Sequence, residues 1–316
     1  IMQTIIDKFI VNDTSTNIKV FGVGGGGCNA VENLYKRGLE NVTFAVCNTD
    51  KISLQVCCVP TRIAIGDIGA GDIPEKGYEA AEQYEDEIRK VLSDGTEMLF
   101  ITAGMGGGTG TGASPVVARI ACELGILTIG IVTVPFMFEG KSKINKANMW
   151  IQKMMKHVDA MIVINNEKLT QMEGYLLPEA FLFADNVLAN AVESIVKLVV
   201  LKGYMNVDFA DVCTTLRSGK RAVISTGEGE GPKRMTNALT NAVRSMLTDD
   251  INLEQCNRVL LNFYCSRKGA ITTRELSEVD EFTGSMMEDV AVKWGINYDE
   301  TLGDKVKVTV LAAGQW

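Results

Sequence analysis

Nine residues, Gly104-Met105-Gly106-Gly107-Gly108-Thr109-Gly110-Thr111-Gly112, stand between an apolar run, Met98 to Thr102, and a helical pattern, Ala113 to Leu124. Few folds use such a stretch. Glycines let a backbone turn its N–H groups toward one point without obstruction from Cβ. A helix starting directly afterwards adds unpaired N–H groups and the positive end of its dipole. Thr109 and Thr111 supply hydroxyls among the glycines. The product is a cradle for a multiply charged anion, with a nucleotide phosphate chain as the leading candidate. A flexible linker is the plain alternative, but linkers do not join a buried strand directly to an amphipathic helix. Ser114-Pro115 supports a helix start, because Pro is tolerated in a first turn. No Lys follows the glycines, so the pattern G-x-x-x-x-G-K-[ST] is absent. Charge compensation must come from backbone dipoles and a metal ion.

The chain has 316 residues, which suggests two domains, and its 46% hydrophobic content is enough for large cores. A net charge of −8 argues against a nucleic-acid surface. No apolar run is long enough to span a bilayer. Eight scattered cysteines include no C-x-x-C pair, and most lie in apolar patterns. That usage fits a reducing cytoplasm. The single histidine, His157, cannot build a metal cluster and is expected as a partly exposed helix residue. No metal-ligand set is expected.

Ile18 to Val23 reads as a buried strand. Gly24-Gly25-Gly26-Gly27-Cys28-Asn29 follows, then a helix from Ala30 to Lys36. Gly22, Gly24 and Gly27 match G-x-G-x-x-G, a weak signal alone. Asp50, after the next strand (Val42 to Cys47), lies in the range of a ribose contact in a Rossmann domain, so a dinucleotide enzyme stays open at this point. Further strands are expected at 62–65, 127–134 and 160–164, with a glycine-rich loop at 69–77 and helices at 78–92 and 141–157. Strands alternating with helices indicate an α/β, Rossmann-like, mostly parallel sheet, with ligands beyond the carboxyl ends of the strands. Two glycine cradles exceed what one pyrophosphate requires.

Pro178 to Lys202 reads as one long central helix of 25 residues, about 37 Å in length, with apolar residues on nearly every side. The expected division is therefore 1–177, the connecting helix 178–202, and a smaller α/β domain over 203–316. Asp208 and Asp211 follow the helix; as residues near a helix start they could simply be caps. In the last part a strand is expected at 222–226, a helix at 232–247, a strand at 258–265, a helix at 277–294, and strands at 296–298 and 305–311. Gly227 to Gly231 is glycine-rich but acidic and reads as a turn.

Three motifs in order resemble those of the tubulin/FtsZ GTPase superfamily, in its bacterial cell-division branch: Gly104 to Gly112, Pro135-Phe136-Met137-Phe138-Glu139-Gly140, and Asn206-Val207-Asp208-Phe209-Ala210-Asp211. The similarity runs from about Ile18 to Ala313. It implies GTP and GDP as ligands, with Mg²⁺ beside the phosphates. Carried over by position, Gly24, Gly25, Gly26, Cys28 and Asn29 would line the phosphate and guanosine side. Asp50 would lie near the phosphates and Gly71 by the γ-phosphate. Gly106, Gly107, Gly108, Thr109, Gly110, Thr111 and Gly112 would hold the α- and β-phosphates. Glu139 and Lys143 would contact the ribose region, Pro135 would belong to the nucleotide site, and Asn166, Phe181 and Asp185 would hold guanine. Guanine N1–H and N2–H₂ are donors that a carboxylate accepts.

The long helix then matters. Phe181 and Asp185 stand at its start, while Asp208 and Asp211 lie past its far end, roughly 30 Å or more away. The acids of one molecule therefore cannot reach its own γ-phosphate, but those of a head-to-tail neighbour can, and such a contact need not close. The resemblance thus implies a self-assembling, cytoplasmic GTPase at the mid-cell division site. In it Asp208 and Asp211, supported by Asn206, act on the next subunit's nucleotide. It also implies membrane-anchoring division proteins as partners, through a C-terminal tail that this sequence, ending at Trp316, does not include; neither nucleic acid nor direct membrane insertion is expected. A plasmid-partitioning or regulatory relative is the alternative reading. Two departures from the family pattern stand out: Lys143 occupies a position that is often Arg, and the segment Ile65–Gly71 is shorter than the usual loop.

Overall fold

The computed structural model describes residues 17–170, 177–200, 204–205, 207–217, 219–246, 256–284 and 290–314. Ten strands form one sheet: β1 (Ile18–Val23), β2 (Val42–Asn48), β3 (Thr61–Ala64), β4 (Met98–Gly104), β5 (Leu127–Val134), β6 (Ala160–Asn165), β7 (Arg221–Gly229), β8 (Cys256–Cys265), β9 (Ala291–Tyr298) and β10 (Val306–Gly314). Their spatial order is β3-β2-β1-β4-β5-β6-β7-β10-β8-β9. The first six run parallel. In the second half β10 runs antiparallel to both β7 and β8, and β8 is parallel to β9. The halves meet edge to edge through a single pair, Met161 with Arg221.

The helices are α1 (Gly24–Lys36), α2 (Lys51–Val56), α3 (Pro74–Gln83), α4 (Glu85–Leu92), α5 (Thr109–Glu123), α6 (Lys141–Met154), α7 (Glu167–Thr170), α8 (Leu177–Val200), α9 (Phe209–Arg217), α10 (Arg234–Arg244) and α11 (Leu276–Gly284). Strands β1, β4 and β5 carry few exposed residues because helices cover both faces of the parallel sheet, as their uninterrupted apolar runs require.

Several expectations need correction. Helix α1 begins at Gly24 instead of Ala30, and α5 at Thr109 instead of Ala113, so Gly24–Gly27 and the Thr109–Gly112 end of the longer glycine stretch are wound into first helical turns. Pro115 therefore falls in the second turn of α5, where the carbonyl of Thr111 loses a helical donor. The helix expected over 78–92 breaks at Tyr84, and Glu85, Asp86 and Glu87 open a new one, where its dipole favours acids. Residues 291–294, expected as helix, belong to β9; Val292, Trp294 and Ile296 alternate along it. Gly227 and Gly229 lie within β7 and not in a turn. A Cβ on Gly227 would strike the backbone of α10 at Ala238 and Ala242, so the glycines let strand and helix touch. His157 lies in the turn after α6, not in the helix.

Helix α8 joins the halves. Leu188, Val192, Ile195 and Leu198 share one buried cluster with Ile162 and Ile164 of β6, Leu260 of β8 and Leu311 of β10. Its first turns differ from expectation, since Phe181 and Leu182 are exposed. Ile195→Ala opens a cavity at a fully buried position and is expected to cost about 2–5 kcal/mol in urea unfolding, whereas Leu182→Ala stays within about 0.5 kcal/mol.

Candidate functional site

The loops after β1, β2, β4 and β5 converge at the carboxyl edge of the parallel half. Gly24 has φ +70°, and a Cβ there would sit 2.6 Å from Gly110 N, so the two glycine turns meet backbone to backbone. A Cβ on Gly112 would run into the carbonyl of Pro74 at the start of α3. The 69–73 loop lies equally close: a Cβ on Gly108 would be 2.7 Å from Ala70 Cβ and 3.1 Å from Ile73 N. Gly25 and Gly71 face open space.

The threonine hydroxyls shape this cradle. Gly106 N–H donates to Thr111 Oγ1 at 2.8 Å, and Thr111 is fully buried. Thr109 Oγ1 lies 2.5 Å from Thr49 Oγ1, linking α5 to the end of β2. Next to Thr49, Asp50 caps α2: its carboxylate accepts from Ser53 Oγ at 2.6 Å and from the N–H groups of Ser53 and Ile52. Those bonds hold its carboxyl below the usual range, the Ser53 hydroxyl most strongly. The short segment Ile65–Gly71 closes on the same strand end, with Ile65 N–H on Asn48 O and Gly69 N–H on Thr49 O, each at 3.0 Å.

Beside the cradle, Gly106 packs on Pro135 and on the backbone of Lys143. Glu139 Oε1 accepts from Phe136 N–H at 3.0 Å, and Lys143 Nζ lies 3.4 Å from Glu139 Oε2. Lys146 of α6 crosses to the 69–73 loop and donates to Asp72 Oδ2 at 2.7 Å and to Asp72 O at 2.9 Å. Asp72 has φ +62°, uncommon for a residue with a side chain.

The far wall is aromatic and polar. Phe136 stacks on Phe138 at 4.9 Å, and Phe181 meets both edge-on at 5.3 and 6.2 Å. Phe136 is fully buried, while Phe138 and Phe181 are exposed. Asn29 Nδ2 donates to Asp185 Oδ2 at 3.1 Å, and Asn33 of α1 and Arg37 just after it reach Asn186, Asn190 and Glu193 of α8. These bonds set Asp185 beside the first turn of α1, where a Cβ on Gly26 would be 3.8 Å from its Oδ1. Burial pushes the Asp185 carboxyl up to about 6, against a smaller opposing effect of Asn29. Asn166 is buried, and its Oδ1 has no partner among the described residues. An orphaned acceptor, an aromatic edge and a half-buried carboxyl fit a flat base with a row of donors.

Cys28 turns its thiol into the core, toward Cys47 O at 3.6 Å, leaving its backbone for a ligand. Among the described residues no group of three or more His, Cys, Asp and Glu side chains converges as a metal site.

Beyond the other end of α8, Asp208 and Asp211 cap α9 reciprocally. Asp211 N–H donates to Asp208 Oδ1 at 2.7 Å, and Asp208 N–H to Asp211 Oδ2 at 3.3 Å. Lys293 Nζ of β9 donates to Asp211 Oδ1 at 2.8 Å. Burial raises the Asp211 carboxyl, but Lys293 and the Asp208 N–H outweigh it, so it lies below the usual range. Asn206 lies outside the described residues. From Phe181 to Val200, α8 rises about 28 Å, so the acids stand at the opposite pole from the cradle.

The residues singled out from the sequence include most of the cradle; Thr49, Asp72 and Lys146 around it, and Lys293 beside the acid loop, are not among them. Only Asp72, within the glycine-rich 69–77 loop, carried a local signal.

The tubulin/FtsZ family GTPase-domain model matches residues 17–174, and the FtsZ family C-terminal-domain model matches 220–315. The cell division protein FtsZ of Porphyromonas gingivalis is 48% identical over 304 residues, covering 94% of this chain and 66% of that one. Its counterpart in Caulobacter vibrioides is 43% identical over 308 residues, covering 94% and 59%. The chain thus spans less than two thirds of the length of these two relatives. A solved empty FtsZ dimer from M. jannaschii, 34% identical, superposes with a TM-score of 0.87, covering 99% of this chain and 92% of that one. With both family models matched in order, and a shared fold along nearly its whole length, the chain belongs to the tubulin/FtsZ family.

Proposed function

We propose that this chain is a GTPase that assembles head to tail with copies of itself, as a filament of the bacterial division machinery, and that hydrolysis takes place at the junction between subunits. The observation that carries this reading is the separation along α8. The glycine cradle, with Phe181 and Asp185 beside it, lies at one end, and a pair of aspartates lies at the other, too far away to serve their own cradle.

In this reading Asp185 and Asn166 accept from the guanine edge, and Phe181, set against Phe136 and Phe138, covers the ring. Asn29 orients Asp185. Pro135, Glu139 and Lys143 border the ribose. Backbone N–H groups of Gly24 to Gly26 and Gly106 to Gly112 receive the α- and β-phosphates at two helix N-termini, with Gly71 near the γ-phosphate. Asp50, held ionised by its cap bonds, flanks this edge. Asp208 and Asp211 of the next subunit, with Asn206, orient the attacking water. Mg²⁺ beside the nucleotide would offset phosphate charge. The filament would lie at the cytoplasmic mid-cell site and engage membrane-anchoring division proteins.

Turnover per molecule is expected to rise with protein concentration, in parallel with sedimentation in GTP and Mg²⁺; constant specific turnover from a monomer sinks the proposal. Asp211→Ala is expected to bind GTP normally and to hydrolyse it about 100-fold more slowly.

Asp185 adds a pH dependence. Its carboxyl titrates at about 6 in the free chain, and guanine N–H donors bind the ionised form. Nucleotide binding must then expel a proton at low pH, so affinity measured by calorimetry should fall about tenfold per unit below pH 6 and level off above it. Asp185→Asn should bind more weakly at pH 8 and lose this slope.

A further inference from the structure

The acid loop is seated on the edge strand β9. Met205 exchanges backbone bonds with Ile296, N–H to O at 3.2 Å and the reverse at 2.9 Å. Gly295 leaves room for this seat, since a Cβ there would lie 2.8 Å from Met205 O and 2.9 Å from Val207 Cγ2. These contacts fix the backbone of the loop. Its carboxylate is fixed separately, by Lys293 Nζ at 2.8 Å from Asp211 Oδ1. The Lys293 side chain is 54% exposed and that of Asp211 22%, so the pair lies at the surface and contributes little to folding.

Its position nevertheless matters. Two carboxylates, each bound to the other residue's backbone N–H, concentrate negative charge on one loop, and a phosphate chain brought toward them is repelled. A cation in contact with one carboxylate reduces that repulsion and keeps the carboxylate ionised. Asp208 and Asp211 occupy each other's N–H groups, and among the described residues Lys293 is the side-chain cation that acts on the pair.

We propose that Lys293 is a positioning residue for hydrolysis: its ammonium holds the Asp211 carboxylate in one orientation and offsets the charge of the acid pair as the nucleotide of a neighbouring copy docks. This rests on the reading of the acid loop as the hydrolytic partner of the next subunit. Lys293 itself touches no nucleotide.

Among the described residues, the charged groups acting on Asp211 are Lys293 from β9 and Asp208 from its own loop. With Lys293 removed, its share of the lowering is lost and the carboxyl rises toward its ordinary value. Activity that needs the carboxylate is then lost at a higher pH as the solution is acidified.

The test compares the whole chain with Lys293→Met, Lys293→Arg and Asp211→Ala. GTP affinity, sedimentation in GTP and Mg²⁺, and turnover from pH 5.5 to 8 are measured, with turnover expressed per sedimented molecule. Lys293→Met is expected to bind GTP like the parent chain and to turn it over about two- to five-fold more slowly at neutral pH, with the acid limb displaced upward. Lys293→Arg restores most of the rate and returns the limb. Parent-like turnover with an unmoved acid limb in Lys293→Met overturns the proposal, as does a Lys293→Arg variant no faster than Lys293→Met. Parent-like turnover in Asp211→Ala instead overturns the acid-loop reading beneath it.

Discussion

Close backbone contact at the carboxyl edge of the parallel sheet governs the rest of the molecule. Helix α1 touches the first turn of α5 at Gly24 and Gly110, and α5 touches α3 at Gly112 and Pro74. A single Cβ at these points would force the helices apart. Their approach directs several helix N-termini at one volume, where unpaired N–H groups and dipoles sum into positive potential. The acidic chain thereby gains a local anion cradle without a lysine in the glycine loop. Everything placed around that volume, from the Phe136 cluster to Asp185, is positioned by helices whose spacing the glycines set.

Charge is managed by pairs that bridge elements. Lys143 faces Glu139 across the first turn of α6, Lys146 ties α6 to Asp72, and Lys293 ties β9 to Asp211. Each cation is already engaged with an acid, so none presents a bare charge. Exposed pairs of this kind add little to folding. Their effect lies in orientation: Lys146 braces a loop that otherwise depends on a positive-φ Asp72, and Lys293 holds one carboxylate of a capping pair.

Much of this was legible in the sequence. The buried runs at 18–23, 98–104 and 127–134 are strands because apolar residues covered on both sides need no alternation. The glycine loops fall at strand ends, where an α/β sheet exposes its ligand edge. Helix starts were misjudged because glycine carries weak helix propensity, whereas here the glycines are helical to let backbones meet. The strand character of Trp294 was hidden because a charged, helix-compatible stretch precedes it. The pairs Lys146–Asp72 and Lys293–Asp211 join residues 74 and 82 positions apart, and no local pattern carries such a contact. Nor does local pattern reveal that Asn166 Oδ1 finds no partner among the described residues, since that depends on how distant segments pack around it.

The two halves of the sheet share one rung, Met161 with Arg221, backed by the apolar flank of α8. A ribbon pinched to one rung resists bending poorly at that point, whereas a helix of 24 residues packed behind it resists bending well. Stiffness between the poles is therefore vested in the helix and its side chains, not in sheet hydrogen bonding. Torque applied at the acid loop would travel through interlocked aliphatic groups such as Ile195 and Leu311 before it reached the cradle, making the hydrocarbon seam the mechanical axle of the chain.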